Sequence, residues 1–435
     1  MRPVVRPLPF FYGWIIVAVV FVTMGVAITA RTAFSLFFPP LLAEFGWDQS
    51  ITAGAFSFGF LVSASLSPVL GRAMDRYGPR LVIEAGVLML SAGLLLATLV
   101  REPWELYATL GVLVSGGTVC LGYSGQSLFL PNWFVRRRGL AMSIAFSGVG
   151  VGAIVLLPWL QTLIQRDGWR TACLALGLLV LCLLAPLNLL LRQRPEDLGL
   201  APDGDAPDHT IAAAAGAEAN VIDAAWAATD WTLRRALGTA RFWWLALGYF
   251  GALYVWYAAQ VHQTQYLIEV GFSPAVAAWA LGVSGLIGIP GQISLGHLSD
   301  RVGREWVWTA GTSGFAVCFA ALLAMARSPE ATLWLYVMVA AQGLLGYGIT
   351  SVMGAIPAEI FQGRHYGSIF GTLMLAGIAG GAAGPFVTGA LHDRTSTYHA
   401  AFAIGAAVSL VSALAIWQAA PRHVRAVAGR VRRAG

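Results

Sequence analysis

Two stretches decide how this chain folds: GRAMDRYGPR at 71–80 and GHLSDRVGR at 296–304. Each runs Gly, then Asp-Arg four residues on, then Gly, then Arg, and the two lie 225 residues apart. Each is a short charged hairpin between two long apolar runs. Working outward, further residues repeat at nearly the same spacing. Trp14 pairs with Trp244 at an offset of 230, Gly117 with Gly343 and Pro131 with Pro357 at 226, Gly139 with Gly367 at 228, and Pro158 with Pro385 at 227. The chain is therefore two similar halves, and its charge is gathered between apolar helices.

Composition agrees. Of 435 residues, 57% are apolar and 11% charged, against roughly 25% charged in a soluble domain. The mean hydropathy is +0.70. A ~30 Å hydrocarbon layer takes about 20 helical residues, and on that template twelve spans are expected. They lie at 11–38, 50–73, 79–99, 104–132, 139–164, 169–191, 240–267, 273–298, 305–326, 331–358, 366–391 and 397–419. The first apolar run, too long for a secretory leader and without a small-residue cleavage site, reads as a retained span. The chain thus divides into a six-helix half at 1–191, a linker at 192–239, a second half at 240–421 and a basic tail at 422–435.

All 27 basic residues are arginine. With the N-terminus placed inside, 21 fall in cytoplasmic segments and 5 (Arg101, Arg166, Arg170, Arg327, Arg394) in outer loops, while Arg31 lies within a span. That bias predicts cytoplasmic termini in a multi-pass inner-membrane protein. It also explains the net charge of +6 without nucleic acid. The four cysteines sit in apolar runs without metal spacing, and no nucleophile–base pair or phosphate loop is present. We expect no enzyme activity, no metal and no cofactor.

The signature hairpin after a second span resembles the signature loop of the major facilitator superfamily of transporters. The resemblance narrows over FYGWIIVA at 11–18, WFVRRRGLAMSIAFSGVGVGA at 133–153, RPEDLGLAPDG at 194–204 and DWTLRRAL at 230–237. These look like the monocarboxylate-transporter and oxalate:formate-exchanger branch, and the likeness covers essentially the whole chain. It implies an all-α membrane fold of two pseudo-symmetric halves, with substrate near the midplane between them. It further implies that the loops, Gly71, Asp75, Arg76, Gly78 and Arg80 with Gly296, Asp300, Arg301, Gly303 and Arg304, stabilise the outward-open state and release on inward opening. Chemically, an aspartate there can accept from the N–H groups of a neighbouring helix start and bond nearby arginines. Gly78 and Gly303 permit the tight turn. A purely structural staple is the alternative.

Six of the remaining candidates, with Arg31, make up the expected substrate site. A cation inside a span is costly unless it meets water, a partner or an anion, so Arg31 is read as a substrate-charge holder, with snorkelling to the outer headgroups as its alternative. The branch places a cation late in span one, commonly lysine; arginine cannot release its proton. His262 lies 231 residues later; histidine is the side-chain type that changes charge near neutrality when unperturbed, so it is read as both a substrate contact and the candidate proton carrier, with bonding to a loop carbonyl as its alternative. Tyr123, Gln126, Tyr257, Gln292 and Tyr347 are polar groups deep in spans, which orient a carboxylate or bond between helices. The branch's Asp and Arg in span eight are missing from AWALGVSGLIGIPGQISLG, which puts strict proton-coupled lactate symport in doubt. The glycine-rich runs at 147–153 and 376–385 predict close helix approach.

The linker's Pro, Asp and Gly read as exposed and mobile, and residues 230–237 as a short interfacial helix or a plain leader into span seven. The function expected is alternating-access transport of a small organic anion, a monocarboxylate, by a monomer in the bilayer, with protons as candidate co-substrate. Dicarboxylate or oxalate-type exchange, efflux of a larger anion or drug, and a non-transporting sensor are the alternatives.

Overall fold

The computed structural model describes residues 11–47, 49–204, 220–326 and 330–427. Arg2, Arg6, Arg327, Arg430, Arg432 and Arg433, the middle of the linker and the end of the tail lie outside them. Among the described residues, eight helical segments are long and apolar enough to cross a membrane. Two of these, Phe58–Ala97 and Arg138–Asn188, each hold two arms. The break is Gly78 in the first (φ 77°, ψ 170°) and Gly168 in the second (φ 83°, ψ 165°), a conformation reserved for glycine. Gly303 (φ 115°, ψ 153°) makes the matching break between helices Pro274–Val302 and Arg304–Met325. Both signature loops therefore turn at the glycine that the spacing singled out.

Two further helices, Ala240–Glu269 and Pro274–Val302, complete the expected twelve. The first of them falls outside the eight because it is more polar. Ala240–Glu269 alone carries Tyr249, Tyr254, Tyr257, Gln260, His262, Gln263 and Gln265.

The chain forms two compact units. Among the described residues the first holds 11–135 and 144–204, and the second holds 136–143 and 220–427. Each has the same internal order. In the first, Gly54 faces Tyr107 and Gly59 faces Ser115, whereas past the turn Gly86 faces Cys120 and Gly93 faces Thr109 and Leu113. The arms of the hairpin thus run in opposite directions along one helix. In the second, Ser284 meets Gly343 and Leu295 meets Gly348, while Gly311 faces Ile349 and Gly314 faces Ala341. The shared helix is interrupted by π-turns in both units, at Tyr107–Val114 and Ala341–Gly346. The glycine runs do allow close approach: Gly148 and Gly152 lie against the backbone of Phe21 and Gly25, and Gly380 and Gly384 against that of Phe250 and Tyr254. A side chain at any of the four would drive into a carbonyl oxygen.

The described parts of the linker are docked, contrary to the expectation of a mobile segment. Residues 192–204 lie on the first unit: Trp133 donates its indole N–H to the Arg192 carbonyl at 3.1 Å, and Asn132 its amide to that of Gln193 at 3.3 Å. Residues 220–223 lie on the second, paired with the tail. Ile222 N–H reaches the Val424 carbonyl at 2.9 Å, and Ala426 N–H reaches that of Asn220 at 2.7 Å. The helix Leu233–Leu237 forms, capped by Thr232, with Arg234 and Arg235 exposed. Trp231 beside it is buried against Trp226 and Phe361. Composition marks such a stretch as loop, and only the tertiary partner shows that it is held.

Candidate functional site

Arg31 sits in the last turn of helix Gly13–Thr32, where the C-terminal dipole favours a cation. Ala30, Arg31, Phe34, Phe37, Leu110, Val114 and Ser115 line one cavity in the first unit. Its walls are apolar apart from the guanidinium and one hydroxyl. The guanidinium carbon lies 4.4 Å from the centroid of the Phe60 ring, whose negative face attracts it. The guanidinium is half-buried and held over an aromatic ring beside that cleft. Chemically the arrangement puts one positive charge and one hydroxyl in an otherwise apolar cleft.

Tyr123 belongs to the same unit and packs edge-on to Phe146, ring centroids 5.2 Å apart. Gln126 is fully buried and spends its amide N–H on the Leu121 carbonyl at 3.0 Å. There the chain leaves helical geometry at Gly122 (ψ −161°), so Gln126 closes a backbone break.

In the second unit, Tyr347 stands at the centre of a neutral polar cluster. Gln260 donates to its hydroxyl at 3.4 Å, Trp256 meets its ring edge-on at 4.7 Å, and Gly285 and Gly288 leave room for the phenol. Gln292, one helical turn beyond Gly288, is buried, and its backbone carbonyl accepts from the Ser351 hydroxyl at 2.8 Å. Tyr257 packs on Gly381. Trp256 was not among the residues chosen from the sequence. The signal for it was the density of polar and aromatic residues on Ala240–Glu269.

His262 uses both ring nitrogens. Nε2 lies 3.0 Å from the Pro385 carbonyl, which can only accept, and Nδ1 lies 3.4 Å from the Tyr398 hydroxyl. The Pro385 carbonyl belongs to helix Tyr366–Thr395, so neither a loop carbonyl nor open space surrounds this histidine. It ties two helices.

The second signature loop builds a buried ionic network. Asp300 accepts from the N–H groups of Gly139 and Leu140, at 2.9 and 3.0 Å, at the start of the helix that begins at Arg138. It also accepts from Arg304 at 2.6 Å, and Arg304 reaches Glu359 at 2.9 Å, with Arg138 3.9 Å from the same carboxylate. All four side chains are less than 9% exposed. Gly296 packs against Gly139 and Ser143, and Gly139 against Ser299, so a side chain at either glycine would push the helix start off Asp300. Arg301 points outward. In the first loop Gly71 is buried, Arg76 lies over the Tyr77 ring at 5.2 Å, Asp75 is half-buried and Arg80 exposed. Arg138 and Glu359 were missed from the sequence: Arg136, Arg137 and Arg138 look alike, and only the last turns inward. Arg425 of the tail is near enough for Glu359 to offset the burial that pushes its guanidinium down.

Among the described residues no group of three or more His, Cys, Asp or Glu could hold a metal ion. The cysteines are free.

The chain is 27% identical over 405 residues to Monocarboxylate transporter 13 of Bos taurus, covering 92% of this chain and 87% of that one. It is 28% identical over 406 residues to Monocarboxylate transporter 11 of Mus musculus, covering 90% and 84%. Among solved structures, the proton:xylose symporter XylE superposes with a TM-score of 0.67 at 14% identity, over 94% of this chain and 95% of that one. The outward conformation of FucP gives 0.66 at 16%, over 93% and 98%; both likenesses concern the fold. The family model of the Major Facilitator Superfamily matches residues 20–292 and 245–433. Duplicated halves, paired signature turns and this match together make the chain a multi-pass membrane transporter of the Major Facilitator Superfamily, homologous to monocarboxylate transporters.

Proposed function

We propose that this protein carries a small organic anion, a monocarboxylate, across the cell membrane by alternating access, with both termini in the cytoplasm. One observation carries the reading: the Arg31 guanidinium lines an apolar-walled cleft in a chain with few charges inside its spans. A cation inside a span is expensive unless it meets water, a partner or an anion. The full-length likeness to monocarboxylate transporters supports the same class. Tyr123, Tyr257, Gln292 and Tyr347 are kept as candidate uncharged contacts, as read from the sequence. The signature loops act as the gate, the Asp300 network holding one state and parting in the other. The arginine asymmetry supports the orientation.

The test is uptake into proteoliposomes. Labelled lactate and pyruvate are expected to enter and to compete with one another, while lactamide, of the same shape without the charge, neither enters nor competes. Equal uptake of the amide would refute anion transport and leave the carrier.

We assign proton coupling to His262. Protonation of Nδ1 would turn the Tyr398 hydroxyl from donor to acceptor and so change the bond that ties the helices. His262→Gln keeps an N–H for the Pro385 carbonyl but cannot titrate. Initial uptake rates measured from roughly pH 5.5 to 7.5, the range in which histidine changes charge, should then lose their pH dependence. A profile identical to that of the parent protein would place any coupling elsewhere.

A further inference from the structure

The stretch RPEDLGLAPDG at 194–204 is a family mark to which the transport reading gives no task, yet it is built with care. Pro195–Leu198 forms a 3₁₀ turn in which Arg194 N–H reaches the Asp197 carboxylate at 3.1 Å. Gly199 (φ 71°) reverses the chain, and Leu200 N–H closes back on the Pro195 carbonyl at 3.0 Å. The turn delivers Asp203 to the loop that follows Trp133. There the two segments exchange hydrogen bonds: Asp203 N–H donates to the Trp133 carbonyl at 3.1 Å, and Val135 N–H donates to Asp203 Oδ2 at 3.0 Å.

Asp203 does this from a left-handed backbone (φ 61°, ψ 2°), which is unfavourable for any residue with a side chain but least so for Asp and Asn. A glycine would adopt it freely. A residue that keeps both the strain and a carboxylate is retained for the carboxylate. Beneath it Trp133 is fully buried, its ring against Phe11 and Tyr12, so the floor of the contact is rigid.

Val135 is followed at once by the helix start whose Gly139 and Leu140 N–H groups are capped by Asp300. We propose that Asp203 is a positioning residue for this gate: it fixes the lead-in at Val135 and so sets where the helix start meets Asp300. The linker is then a working part, tied to the loop at one defined amide. This rests on the loop network acting as the gate in the transport cycle.

The experiment uses the full-length protein with Asp203→Ala, Asp203→Gly and Asp203→Asn. Hydrogen exchange is followed at residues 133–140, and lactate uptake is resolved into KM and kcat. Loss of the acceptor should speed exchange at Val135 at least about tenfold, the size expected for one charge-assisted hydrogen bond. That should occur in Asp203→Ala and also in Asp203→Gly, which relieves the backbone strain. Uptake in both should lose kcat with KM unchanged. Asp203→Asn keeps an acceptor and a tolerated left-handed backbone and should restore most of both. Unchanged exchange at Val135 in Asp203→Ala overturns the proposal. So does an Asp203→Asn variant as impaired as Asp203→Ala, or a Gly variant that behaves like the parent. The exchange arm reads the contact whether or not lactate is carried, so failure of the anion reading is seen separately.

Discussion

Replacing Arg31 by Gln is expected to cut carboxylate uptake by about a hundredfold while moving the melting temperature of the purified protein by no more than about 4 °C. The first figure is what is lost when one partner of a desolvated charge pair is removed, roughly 2–5 kcal/mol. The second follows from the site. Glutamine retains much of the side chain's length, so the cleft between Phe34, Phe37 and Leu110 stays filled. The charge and its contact with Phe60 are lost, a cation–π term of about 0.5–2 kcal/mol that a domain of this size registers as a few degrees. Arg31→Lys should retain part of the uptake, because a point charge remains but the planar fork that grips both carboxylate oxygens does not. Parent-like uptake in the Gln variant would remove Arg31 from the substrate site. A melting temperature that collapses with the uptake would make Arg31 a structural residue. Uptake in liposomes and thermal unfolding of the same preparation decide between these outcomes.

The second large effect concerns stability. Glu359→Gln should lower stability by about 3–5 kcal/mol, the cost of breaking a buried ion pair from one side, read as a fall in melting temperature of roughly 10 °C. Arg304 and Arg138 share that carboxylate, and burial denies them water in its place. Asp300 cannot serve both, since it already accepts from Gly139, Leu140 and Arg304. The pair is a poor source of net stability, because an apolar pair of similar volume avoids the desolvation altogether. Arg304→Met combined with Glu359→Leu should therefore recover part of the loss, limited because Arg138 still loses the same carboxylate. The recovered protein is informative in its own right: if the network is a gate, the double variant should be stable and slow. A Glu359→Gln protein that melts with the parent would show that the carboxylate adds nothing there.

Much of this architecture is written in the chain itself. Two Gly-x-x-x-Asp-Arg-x-Gly segments located both hairpin turns, and the helices that flank them begin and end close to where apolar runs of span length begin and end. The reason is physical: in lipid the backbone must satisfy itself, so helix ends are forced to coincide with changes in polarity. The chemistry of Asp300 was readable in the same way, because a carboxylate in a loop between helices has few better uses than a helix start. What escaped the sequence depends on phase and partnership. Arg138 differs from Arg136 and Arg137 only in the direction it faces. Glu359 sits where a span ends, and only the fold brings it to Arg304. His262 was legible as a polar residue in a span, but its two partners lie more than a hundred residues away. The linker misled for a different reason: Pro195, Gly199 and Gly204 look like disorder, yet they are what a tight turn under Trp133 requires.

The short ladder between residues 220–223 and 424–426 bears on how the protein is handled at the bench. A chain cut back to Ala420 would strip the Ile222 amide and the Asn220 carbonyl of their partners, and would also remove Arg422, whose backbone N–H is bonded to the buried Glu305 at 2.8 Å. Trimming a basic, harmless-looking end to help crystals grow would thus undo a strand pair and uncover an acidic group at once. Residues 421–426 are therefore best kept intact when the chain is trimmed.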